Sequence, residues 1–371
     1  MSFKKYIKAF LPGPVVRMLA FLKSGVDYFI KIILWGCFSR NAFFAKLYYS
    51  LFSNEFSREH KAVLAGKFKY HSSLTSPVTS SYLLRRNIHR LEKGLIMPSR
   101  RPVFAKEYIA ETVREYIRVL ENVGCENISE NVELLWSRDV LNQYFQCVDF
   151  KSDGLLRTLR SSFIDANKPR VNSQGLIGEP MIPFRRVGSS KAVNFDALYA
   201  LSKHRRSVRF FQSDRPCRDA VDNAMRVALQ APSACNRQPF SFRLFDDKDK
   251  VLEVSSIPAG TKTFYRELPA VAVVVGHLEA YYRERDRHAM YIDASLAVMS
   301  FVYGLECQGI STCIINWGDE EPAESKMSSL LNLEGSDRVL MLVGYGYPAY
   351  DVEVPYSAKR NLEDVRSYNE Y

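Results

Sequence analysis

Ten residues, Ala231-Pro-Ser-Ala-Cys-Asn-Arg-Gln-Pro-Phe240, hold a hydroxyl at Ser233 and carboxamides at Asn236 and Gln238 between two prolines, Pro232 and Pro239. Each proline fixes φ near −65° and removes a backbone donor, so the stretch reads as a stiff turn. A stiff turn that presents several polar groups suits the edge of a planar, heteroatom-rich ligand. The same composition also makes an ordinary helix-to-strand loop. Cys235 lies inside the turn with no neighbouring base to activate it, so it reads as packing. About 25 residues upstream, His204-Arg-Arg-Ser-Val-Arg-Phe210 gathers Arg205, Arg206 and Arg209 around Ser207. Taken alone, that cluster reads as a solvated basic face. His277 and His288 have no partner at metal-ligand spacing, and there is no HExxH, P-loop, GxSxG or dinucleotide fingerprint.

The elements that must carry these residues follow from periodicity. Asp214 is placed to cap a helix with Pro216 in its first turn and Val221, Met225 and Ala228 in one stripe. Phe240 to Phe245 reads as a strand. Ala270-Val-Ala-Val-Val-Val-Gly276, apolar and β-branched, reads as a central strand. Tyr291 to Gln308 reads as a helix ended by Gly309, and Ser311 to Ile315 and Arg338 to Gly344 as further strands. Upstream, Tyr108, Thr112/Val113, Tyr116 and Leu120 recur at helical spacing before Gly124, and 131–147 is another helix. Residues 70–80 read as a loop. The charge-dense Leu84-Arg-Arg-Asn-Ile-His-Arg-Leu-Glu-Lys-Gly-Leu95 reads as a short helix stopped by Gly94. It is either a binding element, with His89, Arg90, Glu92 and Lys93 facing a ligand or the downstream domain, or a surface helix with internal ion pairs, and the second is preferred.

The division expected is a mainly α-helical region over 1–164, a polar, Pro/Gly-rich linker over 165–194 and an α+β domain over 195–371. The chain has 371 residues, 47% of them hydrophobic, which suits a packed protein. Its seven cysteines are odd in number and without repeated spacing, which argues against a disulfide framework or zinc site and for a reducing compartment. The net charge of +10 is uneven: residues 1–100 hold 17 Lys/Arg against 4 Asp/Glu, so the rest of the chain carries −3. Within Met18 to Phe38, Lys23, Asp27 and Lys31 fall on one helical face, too much charge for a membrane span. That stretch reads as an amphipathic helix, lying on an anionic membrane or packing on protein, the latter preferred. No signal peptide is read, and charge alone does not argue for nucleic acid.

Taken together, the Arg-Ser-Val-Arg segment and the Pro-Ser-x-x-Asn-x-Gln-Pro turn resemble the nitroreductase family. So do Tyr291-Ile-Asp-Ala-Ser-Leu-Ala297, Gly309-Ile-Ser-Thr-Cys-Ile-Ile-Asn-Trp-Gly318, Gly344-Tyr-Gly-Tyr-Pro348 and the basic pair Lys359-Arg360, in that order. The first segment is one residue tighter than the family pattern, with Phe211 at the family's spacing for the phenylalanine. The resemblance covers about 195–371 and implies a nitroreductase-like mixed sheet flanked by helices. It also implies a homodimer with FMN at the subunit interface and hydride drawn from NAD(P)H, which binds transiently. The alternating half-reactions then reduce a small-molecule acceptor that the sequence does not identify.

The resemblance places FMN phosphate near Arg205, Arg206, Ser207, Lys359 and Arg360, because a guanidinium fork suits phosphate. It puts Arg209 near the ring, where a positive charge stabilises the reduced flavin. Pro232, Ser233, Asn236 and Gln238 would edge the ring or ribityl chain, in the family across the dimer interface. Ile315, Asn316 and Trp317 match the segment whose main chain approaches flavin N5; many members carry Glu-Gly where Asn316-Trp317 stands, so Trp317 is expected to narrow the pocket. No side chain is assigned a catalytic role and no metal is expected. The expected setting is cytoplasmic, at most peripheral to the inner membrane face through residues 1–52. The alternative is a membrane-associated accessory protein of this fold in cell-surface polysaccharide production.

Overall fold

A computed structural model describes residues 31–168, 179–185, 193–351 and 353–370, except for the side chains of 125–127. The chain divides into two compact units, Met1–His60 and Lys61–Tyr371. In the first, residues 31–38 are helical and α1 follows over Ala42–Leu51, its first turn capped by the Asn41 side chain, which accepts from the Phe44 N–H at 3.0 Å. None of the side chains of α1 is buried. Most of the expected surface helix, including Lys23 and Asp27, lies outside the described residues, as does most of the expected linker.

In the second unit, α2 (Ser57–Ser73, begun in the first) leads to a bundle of α3 (Tyr82–Leu95), α4 (Ile109–Val123), α5 (Val132–Cys147) and α6 (Gly154–Ala166). Three of these start where sequence chemistry puts them: Ser81, Asn131 and Asp153 each accept an N–H of the first turn. The bundle has its own core of Leu84, Ile88, Leu91, Val113, Tyr116, Leu134, Leu141, Tyr144 and Phe163. Two expectations are corrected here. The helix α2 extends through Ser73, so the loop begins at 74. Gly94 does not stop α3; a Cβ there would come within 2.3 Å of the Phe104 ring, so glycine serves a close contact rather than a turn.

Downstream come α7 (Phe195–His204), α8 (Arg218–Ala228), β1 (Phe240–Phe245), α9 (Lys248–Ser255), β2 (Ala270–His277), α10 (Ala289–Glu306), β3 (Ser311–Asn316), α11 (Glu321–Leu331) and β4 (Asp337–Gly346). The strands lie in the order β1-β2-β4-β3, every neighbouring pair antiparallel. Among the described residues the parallel component is a single bridge, Ser207 to Thr312. Alternation along β2 sorts the core into two layers. Ala270, Ala272 and Val274 face α8 and α10, while Val271, Val273 and Val275 share a cluster with Val251 of α9 and Met327 of α11. This is the α+β sheet flanked by helices that the resemblance implied, preceded by a helical region.

The helix α8 begins later than expected. Its N-cap is Cys217, with no side-chain hydrogen bond, and neither Asp214 nor Pro216 lies within it. Proline disfavours helical geometry in the residue before it, which keeps Arg215 and the chain leading to it out of the helix. Its stripe also includes Ala220 and Ala224, small because α10 comes close: a Cβ on Gly304 would sit 2.9 Å from Ala224 Cα.

Candidate functional site

The sheet has two edge strands, β1 and β3, and the site lies at β3. On that side the incoming segment 205–211 meets it at one end: Val208 N–H donates to Thr312 O at 3.0 Å, beside the Ser207–Thr312 bridge. Beyond that contact the strand borders a cavity of about 320 Å³. The cavity is walled by Cys313 to Gly318, Pro258 to Gly260, Phe264, Glu320, Ala323 and Arg209. Arg209 enters from the 205–211 segment, its guanidinium 5.7 Å from the Phe264 ring and donating to Ser207 O at 3.3 Å. Burial pushes the Cys313 thiol up, against the pull of Arg209, so it stays protonated and inert.

Trp317, expected to narrow the pocket, is one of the residues lining the cavity. The indole is 8% exposed and its N–H donates to Glu324 Oε1 at 2.8 Å. Glu324 also takes an ion pair from Arg338 at 3.2 Å, and Arg338 reaches Asp319 at 2.8 Å. Glu324 and Arg338 are both 2% exposed, so Trp317 is a fixed wall of the cavity, held by a buried ion pair.

The turn 231–238 is a second place; none of its residues lines the cavity. A single 3₁₀ turn, Ala234–Asn236, carries left-handed backbone at Cys235 (φ 55°) and Asn236 (φ 52°), and Gln238 follows at φ 51°. Three non-glycine residues in that region within four positions cost on the order of 1–3 kcal/mol each unless the surroundings over-determine them. The surroundings do. Ser233 Oγ accepts from Gln238 N–H at 3.0 Å, and the Gln238 amide donates to Asn236 Oδ1 at 3.0 Å. Asp293 of α10 accepts from Ala234 N–H at 2.9 Å. Arg237, 6% exposed, donates to Ala234 O at 3.3 Å and lies 5.3 Å from the Tyr281 ring. Burial raises the Asp293 carboxyl, and the Ala234 N–H and Arg237 offset only part of that.

Of the expected residues, Arg209, Ile315, Asn316 and Trp317 come together at the cavity, with Ser207 beside it. Pro232, Ser233, Asn236 and Gln238 form the turn. Arg205 caps α7, next to Glu306, a 9%-exposed acid raised by burial, with His204 at 3.5 Å and Arg205 drawing it back. Arg206 donates to Tyr356 O at 2.9 Å, which ties the C-terminal segment to 205–209. Within that exposed segment Arg360 donates to Asp364 O at 2.8 Å, and Lys359 is exposed. Asp293, Arg237, Glu306 and the Glu324–Arg338 pair were missed. Asp293 was visible as a lone carboxylate among small and apolar residues of the quoted helix. The others announce themselves only through partners distant in sequence.

In α3, His89 pairs with Glu92 at 3.4 Å, Arg90 lies 3.7 Å from the Tyr108 ring and Glu92 accepts from Trp136 at 3.0 Å. His89–Glu92 is an internal pair of the kind expected for a surface helix, but the helix is more than that. One face is core, with Leu84, Ile88 and Leu91 wholly buried, and the residue that reaches the turn is Arg85. His277 bonds Asp337 at 2.8 Å and Ser241 at 3.0 Å, a tie across β1, β2 and β4.

The nitroreductase family model matches residues 203–257 and 248–347. Together these stretches run from 203 to 347, less than half of the chain. The chain is 24% identical over 220 residues to the iodotyrosine deiodinase of Danio rerio, covering 50% of this chain and 72% of that protein. It is 28% identical over 149 residues to the Archaeoglobus fulgidus protein named as an NADH dehydrogenase/NAD(P)H nitroreductase, covering 39% and 81%. It spans 66% of the length of the human deiodinase. The solved FMN-dependent nitroreductase of Clostridium difficile is 20% identical, with 47% of this chain and 99% of that one covered and a TM-score of 0.40.

Members of this family are commonly FMN-dependent, and the donor set of the cavity fits that group. A guanidinium stands at one side, the main chain of an edge strand at another, and Phe264, Ile315 and Trp317 supply apolar walls. Such a slot suits a planar heteroaromatic ring that carries negative charge. Its volume is at the low end of the roughly 300–1,000 Å³ of small-molecule sites.

Proposed function

We propose that the protein is an FMN-dependent oxidoreductase drawing hydride from NAD(P)H, with the flavin ring in the cavity beside β3. The observation that carries this is Arg209 and the Cys313–Gly318 main chain on one cavity. When bound, FMN supplies a two-electron carrier that accepts and returns hydride at ring N5. Arg209 then holds a fixed positive charge at the ring edge, and Phe264 and Trp317 keep water from that side. Ser207 and Arg205 hold the phosphate, with Lys359 and Arg360 brought near by the Arg206–Tyr356 tie. The Ser233–Gln238 turn lies apart from the cavity, which supports a homodimer in which it serves the partner's flavin. Relatives named as deiodinases and as a nitroreductase leave the acceptor open. Anaerobic addition of NADH or NADPH to the FMN-loaded protein should bleach the visible flavin bands. Bands that persist with both nucleotides would contradict the donor.

A second reading, peripheral contact with an anionic membrane, has one observation in its favour. Ile32, Ile33, Trp35, Phe43, Phe44, Leu47 and Phe52 are all exposed, among Lys31, Arg40 and Lys46, with no acid between 31 and 52. Aromatic and basic residues so mixed suit a headgroup layer. Among the described residues no helix is long and apolar enough to cross a membrane. The protein should float with phosphatidylserine vesicles at low salt and not with phosphatidylcholine ones; no flotation with either removes this reading and the accessory-protein alternative built on it.

A further inference from the structure

The family match begins at residue 203, yet the turn is held in part from far outside it. Arg85, in the first turn of α3, donates Nε to Asn236 O at 3.0 Å across 151 residues of sequence. Its own position is set by α5. Arg85 Nη1 pairs with Glu133 Oε2 at 3.1 Å, and the guanidinium lies 5.8 Å from the Trp136 ring. Glu133 is itself fixed, 7% exposed, accepting from Ser81 N–H at 2.8 Å and Ser80 Oγ at 2.7 Å. Trp136 is fixed by its bond to Glu92. The bundle thus ends in a rigid guanidinium aimed at a main-chain carbonyl.

That carbonyl belongs to a residue at φ 52°, between Cys235 at φ 55° and the approach to Gln238 at φ 51°. The other stays on the turn come from its own side chains and from Asp293, within the family-matched part. Only Arg85 grips the Asn236 carbonyl among the hydrogen bonds of the described residues. A charge-assisted hydrogen bond to a strained, part-buried carbonyl is a strong one. Sidedness matters as well: α10 holds the turn by an N–H at Ala234, and α3 holds it by a C=O at Asn236. The two fix opposite main-chain groups of one 3₁₀ turn.

We propose that Arg85, locked by Glu133 and Trp136, is a positioning residue for the Ser233–Gln238 turn, so that the helical region is a working part of the ligand site and not a separate module. The consequence for ligand binding rests on the flavin reading; the consequence for the turn does not. Arg85 need not touch the ligand. It sets the conformation in which Ser233, Asn236 and Gln238 present their polar groups.

The experiment compares the full-length wild type with Arg85→Ala, Arg85→Lys and Arg90→Ala. Arg90 sits on the same helix but stacks on Tyr108 within the bundle, so its variant controls for general loosening of α3. Two readouts are taken: backbone hydrogen exchange of peptides covering 232–240, and the dissociation constant for added FMN. Exchange in β2 reports whether the fold is intact. The expected result for Arg85→Ala is at least about tenfold faster exchange in 232–240, with β2 unchanged, and FMN binding weakened about tenfold. Arg85→Lys, which keeps the charge but cannot hold Glu133 and Asn236 with the same fork, should fall between. Arg90→Ala should leave both readouts at wild-type values. Unchanged exchange in 232–240 for Arg85→Ala, or the same change in Arg90→Ala, would overturn the proposal. Faster exchange with FMN affinity intact would support the positioning role and remove the turn from the flavin site. A wild type that binds no FMN would refute the flavin reading while the exchange readout still decides on Arg85.

Discussion

The cavity beside β3 takes its shape from the sheet. Its walls are an edge strand, a bridge from the 205–211 segment and a tryptophan tied to a buried ion pair, and what it offers a ligand is mostly main chain and one guanidinium. The Ser233–Gln238 turn takes its shape from side chains that arrive from elsewhere: Asp293 from α10, Arg85 from α3 and the stack of Arg237 on Tyr281. The first is walled in part by members of the core: Phe264, Cys313, Ile315 and Trp317. The second is a backbone held against its own preferences, where loss of a distant side chain changes the site. Keeping the shape of a ligand site therefore takes different residues in the two places: core residues behind the cavity, polar arms around the turn.

The largest effect should come from the cavity's buried support. Glu324→Ala leaves Arg338 buried with the exposed Asp319 as its one charged partner among the described residues and takes the acceptor from the Trp317 indole. Removing one member of a buried pair costs about 3 kcal/mol or more, so urea unfolding should show a loss of that size, with altered tryptophan emission. A loss below about 1 kcal/mol would mean that the wall does not depend on this pair.

A smaller effect separates the turn from the cavity. Asp293 has a folded-state pKa raised above the 3.8 of an ordinary aspartate, chiefly by burial. The folded protein therefore holds that proton more tightly than the unfolded chain. Its contribution is most favourable below pH 3.8, and stability declines as pH rises from there through the raised folded value, then levels off. Subtracting the stability–pH curve of Asp293→Asn from that of the wild type should leave a difference that falls with pH across this window. A flat difference, or one that rises, would contradict the buried environment assigned to Asp293.

Much of the fold could be read from residue types because the signals are local. The β-branched run 270–276 could only be a buried strand, and Ser81, Asn131 and Asp153 mark helix starts by their own chemistry. The failures came where a distant partner decides. Gly94 looked like a stop and is a contact surface for Phe104; Asp214 is a local exception, since Pro216 holds the helix start beyond it. At the site, Arg209 and the 314–318 segment were legible as a motif, and they do meet at one cavity. Arg85 was not, since its three partners lie 48 to 151 residues away and nothing in the pattern of α3 singles it out from Arg86 or Arg90. Trp317 was legible as a departure from the family pattern, but its role as a wall depends on Glu324 and Arg338, which no spacing connects to it.

Whether the flavin lies beside β3 is decided by an FMN titration of the wild type against Arg209→Ala, followed by visible absorbance and with urea unfolding as the control for fold. Stoichiometric flavin is expected in the wild type and an affinity at least about tenfold lower in the variant. A charge-assisted hydrogen bond is worth about 1.5–3 kcal/mol, and the unfolding midpoint should be nearly unchanged because Arg209 is only part-buried. Equal FMN affinity in the two proteins, or no flavin bound by either, would contradict the placement of the flavin beside β3.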